Sequence, residues 1–128
     1  MIATSAGALL IVEKTLIVQL SATLTDRAVR QLRDVVGATL EEQPLRGVVL
    51  DLASVDLMDS YITRCIRDLA VGAGLMGVPT LVCGVQPSVA DTLVEMGLDL
   101  GNVRTALNVD AALRVLRAGR TAPARSRG

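Results

Sequence analysis

The sequence predicts an α/β domain: a mixed, mostly parallel sheet of about five strands, covered by about four helices. Two patterns carry this expectation. Short β-branched apolar runs alternate along the chain with segments of helical period, the signature of strands joined by crossover helices. The chain has 128 residues of which 51% are apolar, enough for one domain to bury a core without disulfides or metal.

Leu9–Val12 and Leu16–Leu20 read as two strands joined by the polar turn Glu13-Lys14-Thr15. Thr25 is a good helix N-cap. Beyond it Ala28, Leu32, Val35, Val36, Thr39 and Leu40 recur at helical spacing, with Arg27, Arg30, Arg33 and Asp34 on the other side. Pro44 closes that region. Gly47–Leu52 is apolar and β-branched, as expected of a buried parallel strand. Asp56–Ser60 is a polar turn, where Asp59 or Ser60 can cap the next helix. That helix turns Ile62, Ile66, Leu69, Ala70 and Ala73 inward and Arg64, Arg67 and Asp68 outward.

Val78–Val85 is the next buried strand. Ser88–Met96 forms a third helix, with Ser88 and Asp91 as a near capping box and Gly97 as its stop. Val103–Leu107 is a short edge strand. Asn108 caps a last helix from Val109 to about Arg117. The domain is expected to span residues 1–117, and the basic tail 118–128 lacks a hydrophobic pattern and is expected to be disordered.

Composition excludes several functions. Thirteen basic residues balance thirteen acidic ones, which argues against general attraction to nucleic acid or membranes. Arg120, Arg125 and Arg127 lie in the tail, so the body is mildly acidic. The absence of histidine removes histidine-based triads and metal sites, and no nucleophile–base pair suggests an enzyme. A carboxylate-only Mg²⁺ site at Asp51, Asp56 and Asp59 competes with the ordinary use of acids in turns and caps; no metal or cofactor is expected. Cys65 and Cys83 read as buried small hydrophobes of a reducing cytosol. The chain shows neither a signal peptide nor an apolar run near the length of a membrane span, so the expected location is cytoplasmic.

Gly72-Ala73-Gly74-Leu75-Met76-Gly77 matches the spacing of a dinucleotide fingerprint. That fingerprint must follow a strand and open a helix. Here it closes a helix and leads into a strand, so it reads as a turn.

The informative segment is Asp51–Tyr61, where a buried strand ends in an acidic turn and Ser60 sits at a helix start. A phosphate on Ser60 would add about −1.5 to −2 charges. The helix N-terminus tolerates them. Beside Asp56 and Asp59 they would make the surface sharply more negative and repel a partner fitted to the neutral form.

Leu57-Met58-Asp59-Ser60 resembles the phosphorylation motif of the STAS-domain anti-sigma-factor antagonists. In the common antagonists a second serine and a glycine follow; here Tyr61 and Ile62 stand instead. Asp59-Ser60-Tyr61-Ile62-Thr63-Arg64 is closer to the scaffold subunits of stressosomes, the RsbS type. Arg46–Asp51, Val82–Pro87 and Asp91–Leu98 resemble the family's central strand and its next strand and helix. The resemblance runs from about Leu9 to about Leu116.

It implies a non-enzymatic scaffold and phospho-switch. Such a subunit assembles with RsbR-type paralogues as a homo-oligomer or large hetero-assembly. It sequesters an RsbT-type serine/threonine kinase, releases it on phosphorylation, and is reset by a serine phosphatase. By position Ser60 is the phosphoacceptor, and Thr92 aligns with a second acceptor of the paralogues. Asp59, Tyr61 and Arg64 are expected to face the kinase, Tyr61 as the only aromatic of the chain. Two other readings remain: a stand-alone antagonist, or a module whose helix start at Ser60 binds a small molecule or anion.

Overall fold

A computed structural model describes residues 2–22, 24–95 and 103–119. The elements in chain order are β1 (Ile2–Thr4), β2 (Gly7–Val12), β3 (Thr15–Leu20), α1 (Asp26–Glu42), β4 (Gly47–Asp51), α2 (Ser60–Leu75), β5 (Thr80–Cys83), α3 (Pro87–Glu95), β6 (Arg104–Ala106) and α4 (Val109–Gly119). The six strands lie side by side in sequence order. β1–β2 and β2–β3 are antiparallel, whereas β3–β4, β4–β5 and β5–β6 are parallel.

The strand alternation sorts the core into two layers. Leu16, Val18, Leu20, Val48, Leu50 and Val82 point to one face, where the inward sides of α1 and α2 and Val89 of α3 cover them. Ile17, Val49, Leu81 and Cys83 point to the other, where Ala112, Leu113 and Leu116 of α4 close over them. The parallel strands β4 and β5 are thus buried on both sides, which is why they read as continuous apolar runs.

The helix caps follow the sequence closely. Thr25 Oγ1 accepts the Ala28 amide at 3.1 Å, and Asn108 Oδ1 accepts the Ala111 amide at 2.9 Å. The glycine-rich match closes α2 and leads toward β5: Val78 N–H donates to the Ala73 carbonyl and Gly77 N–H to that of Gly74. This double closure needs a left-handed residue, and Gly77 supplies it with φ +81°.

Several elements depart from the sequence reading: β2 begins at Gly7, and β5 keeps only Thr80–Cys83 of the expected Val78–Val85. β1 is a sixth strand; three residues at an edge carry too short a pattern to reveal it. α3 begins at Pro87, whose missing N–H costs nothing in a first turn. Ser88 is therefore inside the helix and is not the head of a capping box. α4 extends to Gly119, taking in Ala118. The Gly97 stop and the tail from Arg120 lie outside the described residues.

Candidate functional site

The site is built at the carboxyl ends of β4 and β5, where parallel sheets carry their functional loops. Asp51 ends β4, and its Oδ1 accepts the Ala53 amide at 3.0 Å, turning the chain out of the sheet. Gly84 lies against that turn with φ +71°, and a Cβ there would fall 2.9 Å from Asp51 Oδ1. Gln86 Nε2 donates to the Ala53 carbonyl at 2.7 Å, and Ser88 Oγ to that of Asp56 at 3.4 Å. The start of α3 therefore latches the loop that leads to α2. Val55 and Met58 anchor it from below, while Leu57 is 82% exposed.

Asp59 caps α2. Its Oδ1 accepts the Ile62 amide at 2.8 Å, and its carbonyl accepts both the amide and the hydroxyl of Thr63, at 3.1 and 2.9 Å. Ser60 is thus the first helical residue and not the cap, which decides between the two cap candidates, Asp59 and Ser60, in favour of Asp59. The cap needs an acceptor that reaches back over the turn, and Asp59 already provides it. Ser60 is exposed, and among the described residues its hydroxyl has no hydrogen-bond partner. The amides of Ser60 and Tyr61 have no intrahelical acceptor, as in any first turn.

Tyr61 is exposed, and its phenol oxygen accepts a hydrogen bond from Arg30 Nη1 of α1 at 3.2 Å. That bond raises the Arg30 pKa above its ordinary value. Arg64 is exposed one turn after Ser60, on the same side of α2. Asp59, Ser60, Tyr61 and Arg64 are therefore brought together on the first turns of one helix.

Thr92 is on α3. Its hydroxyl donates to the Ser88 carbonyl at 3.0 Å, one turn from the contact between Ser88 and Asp56. The fold thus ties Thr92 to the loop before Ser60 through the first turn of α3. Sequence reasoning missed Arg30, Gln86 and Ser88 as parts of this site. Their contacts span about thirty residues of chain, and no local pattern announces them. Leu57 was legible as an apolar residue in a polar turn.

Asp51 and Asp59 are committed to a turn and a cap. Among the described residues no cluster of three or more histidine, cysteine, aspartate or glutamate side chains is arranged to hold a metal ion. Cys65 and Cys83 are both buried. Burial, with Asp51 nearby, pushes the Cys83 thiol up to about 11. No helix among the described residues is long and apolar enough to cross a membrane.

The STAS-domain family profile matches residues 8–112. RsbRD of Bacillus subtilis, an RsbT co-antagonist protein, is 32% identical over 69 residues, 54% of this chain and 25% of RsbRD. RsbRB of the same organism, also an RsbT co-antagonist protein, is 28% identical over 89 residues, 70% of this chain and 32% of RsbRB. The chain spans about a quarter to a third of the length of these curated relatives. A structure of RsbS from Moorella thermoacetica with a serine-to-glutamate substitution superposes with a TM-score of 0.81 at 31% identity, over 92% of this chain and all of that one. A chain from the molecular architecture of the stressosome, a signal integration and transduction hub, superposes with a TM-score of 0.79 at 32% identity, over 90% of this chain and all of that one. The chain belongs to the STAS-domain family and is a stressosome-related member of it, similar to RsbS and RsbR proteins.

Proposed function

We propose that this chain is a non-enzymatic, cytoplasmic scaffold and phospho-switch of a stressosome. In its unmodified form it holds a serine/threonine kinase of the RsbT type. Phosphorylation of Ser60 releases that kinase, and a serine phosphatase restores the bound state. RsbR-type paralogues are its partners in the assembly.

One observation supports this reading: Ser60 is exposed, its hydroxyl has no hydrogen-bond partner among the described residues, and Asp59 already caps the helix start it stands on. Modifying Ser60 therefore costs the fold no hydrogen bond. A phosphate of about −1.5 to −2 charges is tolerated by the α2 N-terminus and sits one turn from Arg64. Its effect falls on the outer surface, where Asp56 and Asp59 add to it. A kinase seated on Leu57, Tyr61 and Arg64 would lose complementarity at the centre of its contact.

Thr92 is a second acceptor in this scheme. Its hydroxyl must first leave the Ser88 carbonyl, so it is the slower of the two.

The test is retention of an RsbT-type kinase on immobilised chain. Ser60→Ala should retain the kinase as the unmodified wild type does, and Ser60→Asp should retain it weakly. Equal retention by all three removes the switch.

A further inference from the structure

Gln86 occupies an unusual place for a glutamine. Its carbonyl accepts the Ala90 amide at 2.9 Å, and Pro87 follows it as the first residue of α3. Gln86 is therefore the N-cap residue of α3. That position favours serine, threonine, aspartate or asparagine, whose short side chains reach the free amides of the first turn. The longer glutamine side chain instead crosses to the loop between β4 and α2, where Nε2 donates to the Ala53 carbonyl at 2.7 Å. It extends from a fixed base. Two residues earlier Gly84 turns the chain at φ +71° and donates its amide to the Leu107 carbonyl at 3.2 Å.

The tether holds the outer part of the loop that leads to Ser60. Val55 and Met58 bury their side chains beneath this loop, while Ala53, Ser54, Asp56 and Leu57 are exposed. Ser88 Oγ adds a longer contact to the Asp56 carbonyl at 3.4 Å. Ser60 itself does not need the tether. It stands on α2, which Asp59 caps and which Ile62, Cys65 and Ile66 fix to the core. The Gln86 bond therefore places the exposed residues beside the serine, and not the serine.

We propose that Gln86 is a positioning residue of the docking surface: through the Ala53 carbonyl it holds Ala53–Leu57 in the conformation that the kinase recognises. The assignment rests on Ser60 being the phosphoacceptor of an RsbT-type kinase. One exposed hydrogen bond contributes little to stability, so its consequence falls on recognition. A loop ordered beforehand spares the complex the entropy of fixing it. Loss of the tether weakens capture of the chain by the kinase and leaves phosphoryl transfer within the complex unchanged.

The experiment is steady-state phosphorylation of the full chain by an RsbT-type kinase, with the phosphate located by peptide mass. Gln86→Ser restores a capping side chain to α3 but cannot reach Ala53, so it should unfold at no lower urea concentration than wild type. Gln86→Met keeps the length and lacks the donor. In both variants KM should rise at least about fivefold with kcat within about twofold of wild type. Hydrogen exchange at the Ala53 and Val55 amides should quicken at least about fivefold in both, while that at Ile62 and Thr63 stays unchanged. An unchanged KM, a fall in kcat in place of the rise in KM, or unchanged exchange at Ala53 and Val55 would each overturn the role of Gln86 while leaving Ser60 as the acceptor. A wild-type chain that the kinase does not phosphorylate at Ser60 would overturn the underlying reading, and the role of Gln86 with it.

Discussion

Arg30 of α1 donates a hydrogen bond to the phenol oxygen of Tyr61 at 3.2 Å. The residue next to Ser60 is thereby held by a different helix, and the surface around the serine spans α1 and α2. Leu57 stands on the approach to the same helix start, 82% exposed. Exposed apolar side chains beside an exposed serine suit a docking face.

Substitutions on that face should separate binding from stability. Tyr61→Phe should change folding stability by less than about 0.5 kcal/mol, because the lost bond is at the surface. Tyr61→Ala and Leu57→Ser should weaken binding of an RsbT-type kinase at least about tenfold, while urea denaturation shows a folded domain. Undiminished kinase affinity in calorimetry would place the contact elsewhere.

The cap at Asp59 makes a different prediction. Asp59→Ala removes the acceptor of the Ile62 amide and should cost about 1 kcal/mol in chemical denaturation. Asp59→Asn should recover most of that loss, since its side-chain oxygen can accept the same bond. Ser60→Ala should leave stability within about 0.5 kcal/mol of wild type. A larger loss from Ser60→Ala than from Asp59→Ala would return the capping role to Ser60.

The β2–β3 hairpin holds strain that can be relieved. Its two-residue turn places Glu13 and Lys14 at φ 54° and 60°, a conformation suited to Asn-Gly. Replacing the pair by Asn-Gly should stabilise the domain by about 1 kcal/mol. The change also breaks the exposed ion pair between Glu13 and Arg117, 2.8 Å apart, which is worth little. Destabilisation in thermal melts would show that the ion pair outweighs the strain.

Cys83 sets an alkaline limit. Its thiol is raised from 9.0 to about 11 by burial, then by the charge of Asp51. The native state thus keeps a proton that the unfolded chain releases above pH 9. Stability from this group is present below pH 9 and falls between pH 9 and 11. Cys83→Ala should flatten that part of the stability–pH curve. At pH 8 the wild-type thiol should react with a thiol reagent only as the protein opens.

The sequence made the parallel half of the fold legible because both faces of β4 and β5 are buried, and double burial leaves unbroken apolar runs at Gly47–Asp51 and Thr80–Cys83. Thr25 and Asn108 were legible as caps because capping is a local transaction within three residues. The same locality could not choose between Asp59 and Ser60 as the cap of α2, and it misled at Ser88, because that helix starts at Pro87. Ser60, Tyr61 and Arg64 were visible as a motif on one stretch of chain. Arg30, Gln86 and Ser88 join that site only through tertiary contacts, so a single sequence cannot announce them.

Intact-mass measurement of the chain after incubation with an RsbT-type kinase and ATP, coupled to gel filtration of the mixture, tests the switch most directly. The account predicts one added phosphate first, its absence from Ser60→Ala, and elution of the kinase away from the modified chain. A first phosphate retained on Ser60→Ala, or a kinase that still co-elutes with fully modified chain, would contradict it.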